Sequence, residues 1–285
     1  MSEKVWKFID KNKIFIFFII ITVISIAIRL CGIENESGDY CQFLEPWFNE
    51  LKDNGGLSAL NMDIGNYNAP YMTILALLTY LPIEPIISIK MVSIIFDYIC
   101  AIGAMILVNK MLKHKKNVQF ISMITYMVVL FLPTVIVNSS MWAQSDSIYT
   151  AFVILALVSL IDEKYLRSFI LLGVAFSFKL QFIFVLPIFI LVYISKRKFP
   201  IYYFLIIPLV NFAMCIPSMI FGKTLSSCID VYINQAGQYS DYLSLNFPSV
   251  YNIFLGTNNN FVIAPTEFVA KIGILVTIFV KEKQY

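Results

Sequence analysis

The run Ile14-Phe15-Ile16-Phe17-Phe18-Ile19-Ile20-Ile21-Thr22-Val23-Ile24-Ser25-Ile26-Ala27-Ile28 decides the architecture. It holds no charge, and its two hydroxyl residues leave every face of a helix apolar. A helix satisfies all of its own backbone hydrogen bonds, and roughly 17 to 25 such residues cross about 30 Å of hydrocarbon. A strand of a transmembrane barrel would alternate polar and apolar positions, and this run does not. Lys4, Lys7, Lys11 and Lys13 precede it as they would in a signal peptide. Its length, its end at Ile28-Arg29-Leu30 in place of a small-residue cleavage site, and the further apolar runs behind it mark a retained first helix.

Composition extends that reading to the whole chain. Of 285 residues 59% are hydrophobic and 14% charged, with a mean hydropathy of +0.78, which excludes a soluble domain. The expected fold is all-α, a polytopic transmembrane helical bundle forming a single domain over residues 1–285. Five cysteines without a CxxC pair provide neither a disulfide framework nor a zinc site, and read as packing residues.

Basic residues collect on the cytoplasmic side of membrane proteins. Four clusters are therefore placed there: the N-terminus, Lys110 to Lys116, Lys196 to Lys198, and Lys281 with Lys283. Residues 31–85 and 222–262 are expected outside, and the first of these loops is acidic. Parity then requires that one of the runs 71–81 and 86–108 does not cross. Tyr71 to Leu81 is short and bounded by Pro70 and Pro82, so it is assigned as a juxtamembrane or re-entrant helix. Further crossings follow at 118–137, 147–161, a short pair within 166–195, 200–221 and 264–280. With the first helix and 86–108 these make about eight. Lys179 and Gln181 fall near the apex of the short pair, and a cation at that depth is a functional candidate. Lys90 and Asp97, seven apart, share one helix face, and Asp97 is expected to pair with another helix. His114 lies in a basic loop and reads as solvated.

The outside segments carry Gly38-Asp39-Tyr40, the amphipathic Phe43-Leu44-Glu45-Pro46-Trp47-Phe48, and Tyr67-Asn68-Ala69-Pro70-Tyr71. They also carry Trp142-Ala143-Gln144-Ser145-Asp146-Ser147 and Leu243-Ser244-Leu245-Asn246-Phe247-Pro248. Aromatic faces cover the C–H patches of sugar rings, and amides and carboxylates bond their hydroxyls. A buried ammonium suits a lipid phosphate. Asp146 also stands where a helix N-cap is wanted.

Trp142-Ala143-Gln144-Ser145-Asp146-Ser147-Ile148-Tyr149 resembles a motif of bacterial membrane proteins related to the mannosyltransferases of glycosylphosphatidylinositol assembly, which are GT-C glycosyltransferases. The likeness extends to Gly38-Asp39-Tyr40 with Pro46-Trp47, to Tyr67 through Tyr71, to Phe178-Lys179-Leu180-Gln181, and to Leu243 through Pro248. Ala143 stands where that family often has Gly. The resemblance implies a GT-C fold and a polyprenyl-phosphate sugar donor, with a first outside loop of juxtamembrane helices that supplies a catalytic Asp.

The implied function is inverting transfer of a mannose-like hexose to an extracytoplasmic glycan or lipid-linked acceptor. Asp39 is the expected base, with Asp146 the second catalytic carboxylate. Lys179 is expected on the leaving phosphate, with Lys90 second. Tyr40, Trp47, Tyr67, Asn68, Trp142, Gln144, Gln181 and Asn246 complete the expected substrate contacts. No cofactor is required, although a divalent metal bridging Asp39 and Asp146 is compatible with this chemistry. Expected partners are the donor, the acceptor and membrane lipids, without nucleic acid, in a bacterial plasma membrane with the N-terminus cytoplasmic. The family carries more spans after the third outside loop, so a C-terminally truncated member is expected. A non-catalytic partner in surface-polysaccharide assembly and a lipid-linked sugar flippase are the alternatives.

Overall fold

The first helix, α1, runs from Glu3 to Cys31, with a charged first third followed by the apolar run Ile14 to Ile28, and Gly32 follows its end. A computed structural model describes residues 3–237, and every element in them is helical. The first loop holds a π-helical turn, Tyr40–Leu44, that runs into α2, Glu45–Asp53. A 3-10 turn, Gly56–Asn61, and α3, Ala69–Leu78, follow. Next come α4, Pro85–Met111, and α5, Val118–Phe131. Pro133 then breaks the chain into the short α6, Pro133–Ile136, and a π-helical turn, Val137–Met141. Behind these lie α7, Asp146–Ile161, and α8, Tyr165–Phe178. The 3-10 turn Leu180–Val185 leads into α9, Leu186–Lys196, and the 3-10 turn Ile201–Leu205 into α10, Ile206–Ile220. The last among the described residues is α11, Leu225–Gly237. From Ile229 onward the chain forms a second unit, whose described part is the remainder of α11.

Among the described residues, three helices are long and apolar enough to cross a membrane: Asn12–Cys31, Pro85–Met111 and Ile201–Ile220. A fourth is added if α5 and Pro133–Met141, bent by 49°, count as one span. The described residues are thus all helical, with three or four helices that could span a membrane, and length alone does not supply eight crossings. The segments expected to cross at 147–161 and within 166–195 are apolar helices of 10–17 residues. The expected span 264–280, the basic pair Lys281 and Lys283, Asn246, and loop residues 238–262 lie outside the described residues. The helix α3 is 10 residues long, about 15 Å, which is short of the thickness of a bilayer core.

Within the first unit, neighbours run α1, α5, α4, α7, α8, α10, with α3 touching α10, α8 and α4. Gly173 permits the α8 to α10 contact, because a Cβ there would lie 2.6 Å from Val210 Cβ. The first loop is itself packed. Phe48, Leu51, Leu60, Leu75, Ile89 and Ile148 join it to α3, α4 and α7 in one core. Each such side chain, when fully buried, stabilises by roughly 1.5 to 3 kcal/mol.

Two buried ions fasten α1. Arg29 donates from Nε and Nη2 to Asp97 Oδ2 at 3.1 and 3.0 Å, and from Nη1 to the Leu130 carbonyl at 3.1 Å. Ser139 Oγ donates to the same Asp97 oxygen at 2.6 Å. Asp97 therefore makes the interhelical pair expected of it. Lys90 is fully buried and donates to the carbonyls of Gly32, Ile33 and Asn35 at 3.0, 3.0 and 2.6 Å. Those contacts use all three ammonium protons, so Lys90 is the clasp on the C-terminal end of α1 and not the second phosphate cation expected of it. His114 is exposed, Cys100, Cys215 and Cys228 are buried, and Cys31 and Cys41 are exposed.

Candidate functional site

Lys179 owes its place to a hairpin. Its backbone is extended (φ −149°, ψ 139°), which ends α8. Rings equally spaced on either side of it then meet: Phe176 with Phe182 at 4.9 Å, and Phe169 with Phe189 at 5.5 Å. Two limbs that pair symmetrically about residue 179 put that residue at the apex. The side chain is 17% exposed, and its Nζ lies 2.5 Å from Asp146 Oδ1. Asn138 Nδ2 donates to the other Asp146 oxygen at 2.9 Å. Asp146 is the first residue of α7, yet its carboxylate turns to these side chains and not to a capping role.

Tyr67 connects this pair to the first loop. Lys179 Nζ sits 5.8 Å from the centre of its ring, within range of a cation–π contact. Its hydroxyl donates to Gln144 Oε1 at 3.2 Å, and Gln144 Nε2 donates to Asp39 Oδ2 at 2.6 Å. Asp39 is exposed. Trp47 packs edge-on against Tyr67 at 5.4 Å, and Tyr67 against Tyr71 at 5.0 Å. Gly65, at φ 69°, lies directly beneath the indole, where a Cβ would come within 2.8 Å of Trp47 Cδ2.

The turn that presents Gln144 is strained and sewn down. Ala143 is fully buried with φ 58°, in the left-handed region that favours glycine. The Gln144 N–H donates to the Asn138 carbonyl at 2.9 Å. Ser37 Oγ donates to the Trp142 carbonyl at 3.0 Å and accepts from the Tyr40 N–H at 3.1 Å. Asn35 Nδ2 donates to the Met141 carbonyl at 3.3 Å.

Asp39, Gln144, Tyr67, Lys179 and Asp146 therefore form one network, with Trp47 on its aromatic wall. Other expected site residues take different places. Tyr40 is 2% exposed, in the core beneath the loop. Burial, with Glu45 nearby, pushes its phenol well above the usual range. Asn68 is 1% exposed and donates to the Phe178 carbonyl at 3.0 Å, tying the first loop to the hairpin. Its Oδ1 has no hydrogen-bond partner. Trp142 is 54% exposed and Gln181 is exposed. Asp39 and Asp146 have separate partners, and no group of three or more His, Cys, Asp or Glu residues gathers as a metal site among the described residues.

Asn138 and Ser37 were not anticipated. The cluster Asn138-Ser139-Ser140, polar inside an apolar stretch, was the available signal for the first. Nothing local marked Ser37, whose partner is 105 residues away. Compared with known proteins, the chain matches no protein-family model, no curated protein and no solved structure.

Proposed function

We propose that the chain is a membrane glycosyltransferase that moves a mannose-like hexose from a polyprenyl-phosphate donor to an extracytoplasmic acceptor with inversion. The observation that supports this reading is the junction of an exposed carboxylate, Asp39, and a largely buried ammonium, Lys179, through Gln144 and Tyr67. Gln144 occupies Asp39 Oδ2 and leaves Oδ1 to accept the proton of an acceptor hydroxyl. The acceptor oxygen attacks the anomeric carbon as the bond from that carbon to the phosphate oxygen breaks. Lys179 then shares its charge between Asp146 and the departing phosphate, in surroundings where a fixed cation acts strongly. Trp47 and Tyr67 offer ring faces for the sugar. The proposed topology keeps the eight crossings, with basic loops cytoplasmic and the Asp39 network outside.

The test uses membranes holding the protein, given radiolabelled polyprenyl-phosphate mannose or glucose. Asp39→Ala is expected to lower transfer by about 10²- to 10⁴-fold, and Lys179→Ala by about 10²- to 10³-fold. Transfer that persists in Asp39→Ala membranes removes the base and with it the mechanism.

A further inference from the structure

Gly222 lets the chain reverse after α10. Its φ of 103° is one that a residue with a Cβ rarely adopts, and its N–H and that of Lys223 donate to the Met219 and Ser218 carbonyls at 3.0 and 3.1 Å. Thr224 then opens α11, its Oγ1 accepting from the Ser227 N–H at 3.2 Å and its carbonyl from the Cys228 N–H at 3.2 Å. Cys215 and Cys228 stand almost equally far from this turn in sequence, and the reversal brings them together. They are 2% and 1% exposed and share one buried cluster with Ala69, the first residue of α3. Within it the Cys215 thiol donates a hydrogen bond to the Cys228 sulfur.

The spacing of the two matches no cysteine motif, so the sequence alone shows them as packing residues. The fold makes them a pair of thiols in contact. The other cysteines are elsewhere: Cys100 donates to the Ser147 carbonyl at 3.3 Å, and Cys31 and Cys41 are exposed. The hydrogen bond from Cys215 pulls the Cys228 thiol down to about 7 against the upward push of burial, and the Lys223 ammonium helps. A thiol that titrates near ambient pH is well matched to attack a disulfide. Cys228 lies in the first turn of α11, and the opening of a helix end is a low-energy route by which a buried thiol meets a reagent. We infer that Cys215 and Cys228 are a redox pair that closes to a disulfide by exchange with an external disulfide, fastening the start of α11 to α10 against the first residue of α3. The Cys228 thiolate attacks one sulfur of the external disulfide, whose S–S bond breaks and releases one thiolate. Cys215 then attacks the Cys228 sulfur of the mixed disulfide and displaces the second. The two protons lost by the cysteines end on the two released thiols, and the two electrons given up by the pair reduce the external disulfide. Neither cysteine belongs to the Asp39 network, and the inference does not depend on the transferase reading.

The full-length protein in detergent is equilibrated with glutathione buffers running from fully reduced to fully oxidised, quenched with acid, unfolded, and alkylated with N-ethylmaleimide. Trypsin cuts after Lys223 and so puts the two cysteines on different peptides, which mass spectrometry then follows. Cys215 and Cys228 are expected to lose alkylation together, with one midpoint and completely at the oxidised end, and their peptides to appear joined; dithiothreitol restores both thiols. In Cys215→Ser the joined peptide is gone and Cys228 stops as the mixed disulfide with glutathione. Persistent alkylation of Cys215 and Cys228 at the oxidised end, while the exposed Cys41 takes up glutathione, overturns the pair. Glutathione retained on wild-type Cys228 with no joined peptide overturns it as well. The same titration in denaturant should scatter the cross-links among the five cysteines, and an equal share of the Cys215 to Cys228 link there overturns the role of the fold. The deciding comparisons are made on the wild type, so a variant that misfolds does not blunt them.

Discussion

Gln144 uses both ends of its amide, accepting from Tyr67 and donating to Asp39, and the residue before it bears the strain of placing it there. A left-handed backbone costs a residue with a Cβ about 1 to 2 kcal/mol, and a β-branched side chain suffers most. Ala143→Gly is therefore expected to change stability by less than about 1 kcal/mol, while Ala143→Val costs about 2 to 3 kcal/mol through strain and overpacking; thermal melts of both variants check the contrast. At the opposite end of α7, Lys110 bonds Asp162 and Lys198 bonds Glu163, and each bond holds its carboxyl below its ordinary value. A depressed folded value means stability that is present above the unfolded pKa, near 4, and lost as pH falls through the folded one. Melts from pH 6 downward should show Asp162→Asn with a shallower acid loss than the wild type; an unchanged slope removes the pair from the acid response.

Proline and charge made several elements legible in advance. Pro70 and Pro82 bracketed α3 as too short to cross, and Lys179 in a stretch with no room for two full spans marked the hairpin apex. The seven-residue spacing of Lys90 and Asp97 placed them on one face of α4, and both do face the end of α1. What each lysine touches was not legible, because a contact between helices leaves no period in either sequence; hence Lys90 read as a spare cation when it is the clasp on three carbonyls. The two lysines should separate by experiment. Lys90→Met leaves three acceptors unpaired in the interior and is expected to cost about 2 to 4 kcal/mol of stability, whereas Lys179→Met frees only a part-exposed Asp146 and costs about 1 kcal/mol. Melting of the two variants in one detergent decides; equal losses sink the distinction.

For the molecule as a whole, the all-helical membrane class was legible because hydropathy needs no tertiary contact to be read. The network across the first loop, the 142–146 turn and the hairpin was legible only as scattered polar residues, since its bonds join positions 33 to 105 apart. A separate buried pair, Arg29 with Asp97, joins α1 to α4. Removing one member leaves an uncompensated charge, so Arg29→Met is expected to cost about 3 to 5 kcal/mol, and Arg29→Met with Asp97→Leu distinctly less; a double variant no more stable than the single one contradicts this. That same pair bears on biosynthesis. Asp97 lies near the middle of Pro85–Met111, where a carboxylate opposes entry into lipid by about 2.5 to 3.5 kcal/mol. Arg29 is translated earlier and sits near the end of its own helix, where a cation can reach the headgroups. When α4 emerges from the ribosome its counter-ion is already waiting at the translocon, so the two helices can leave for the lipid as a neutral couple.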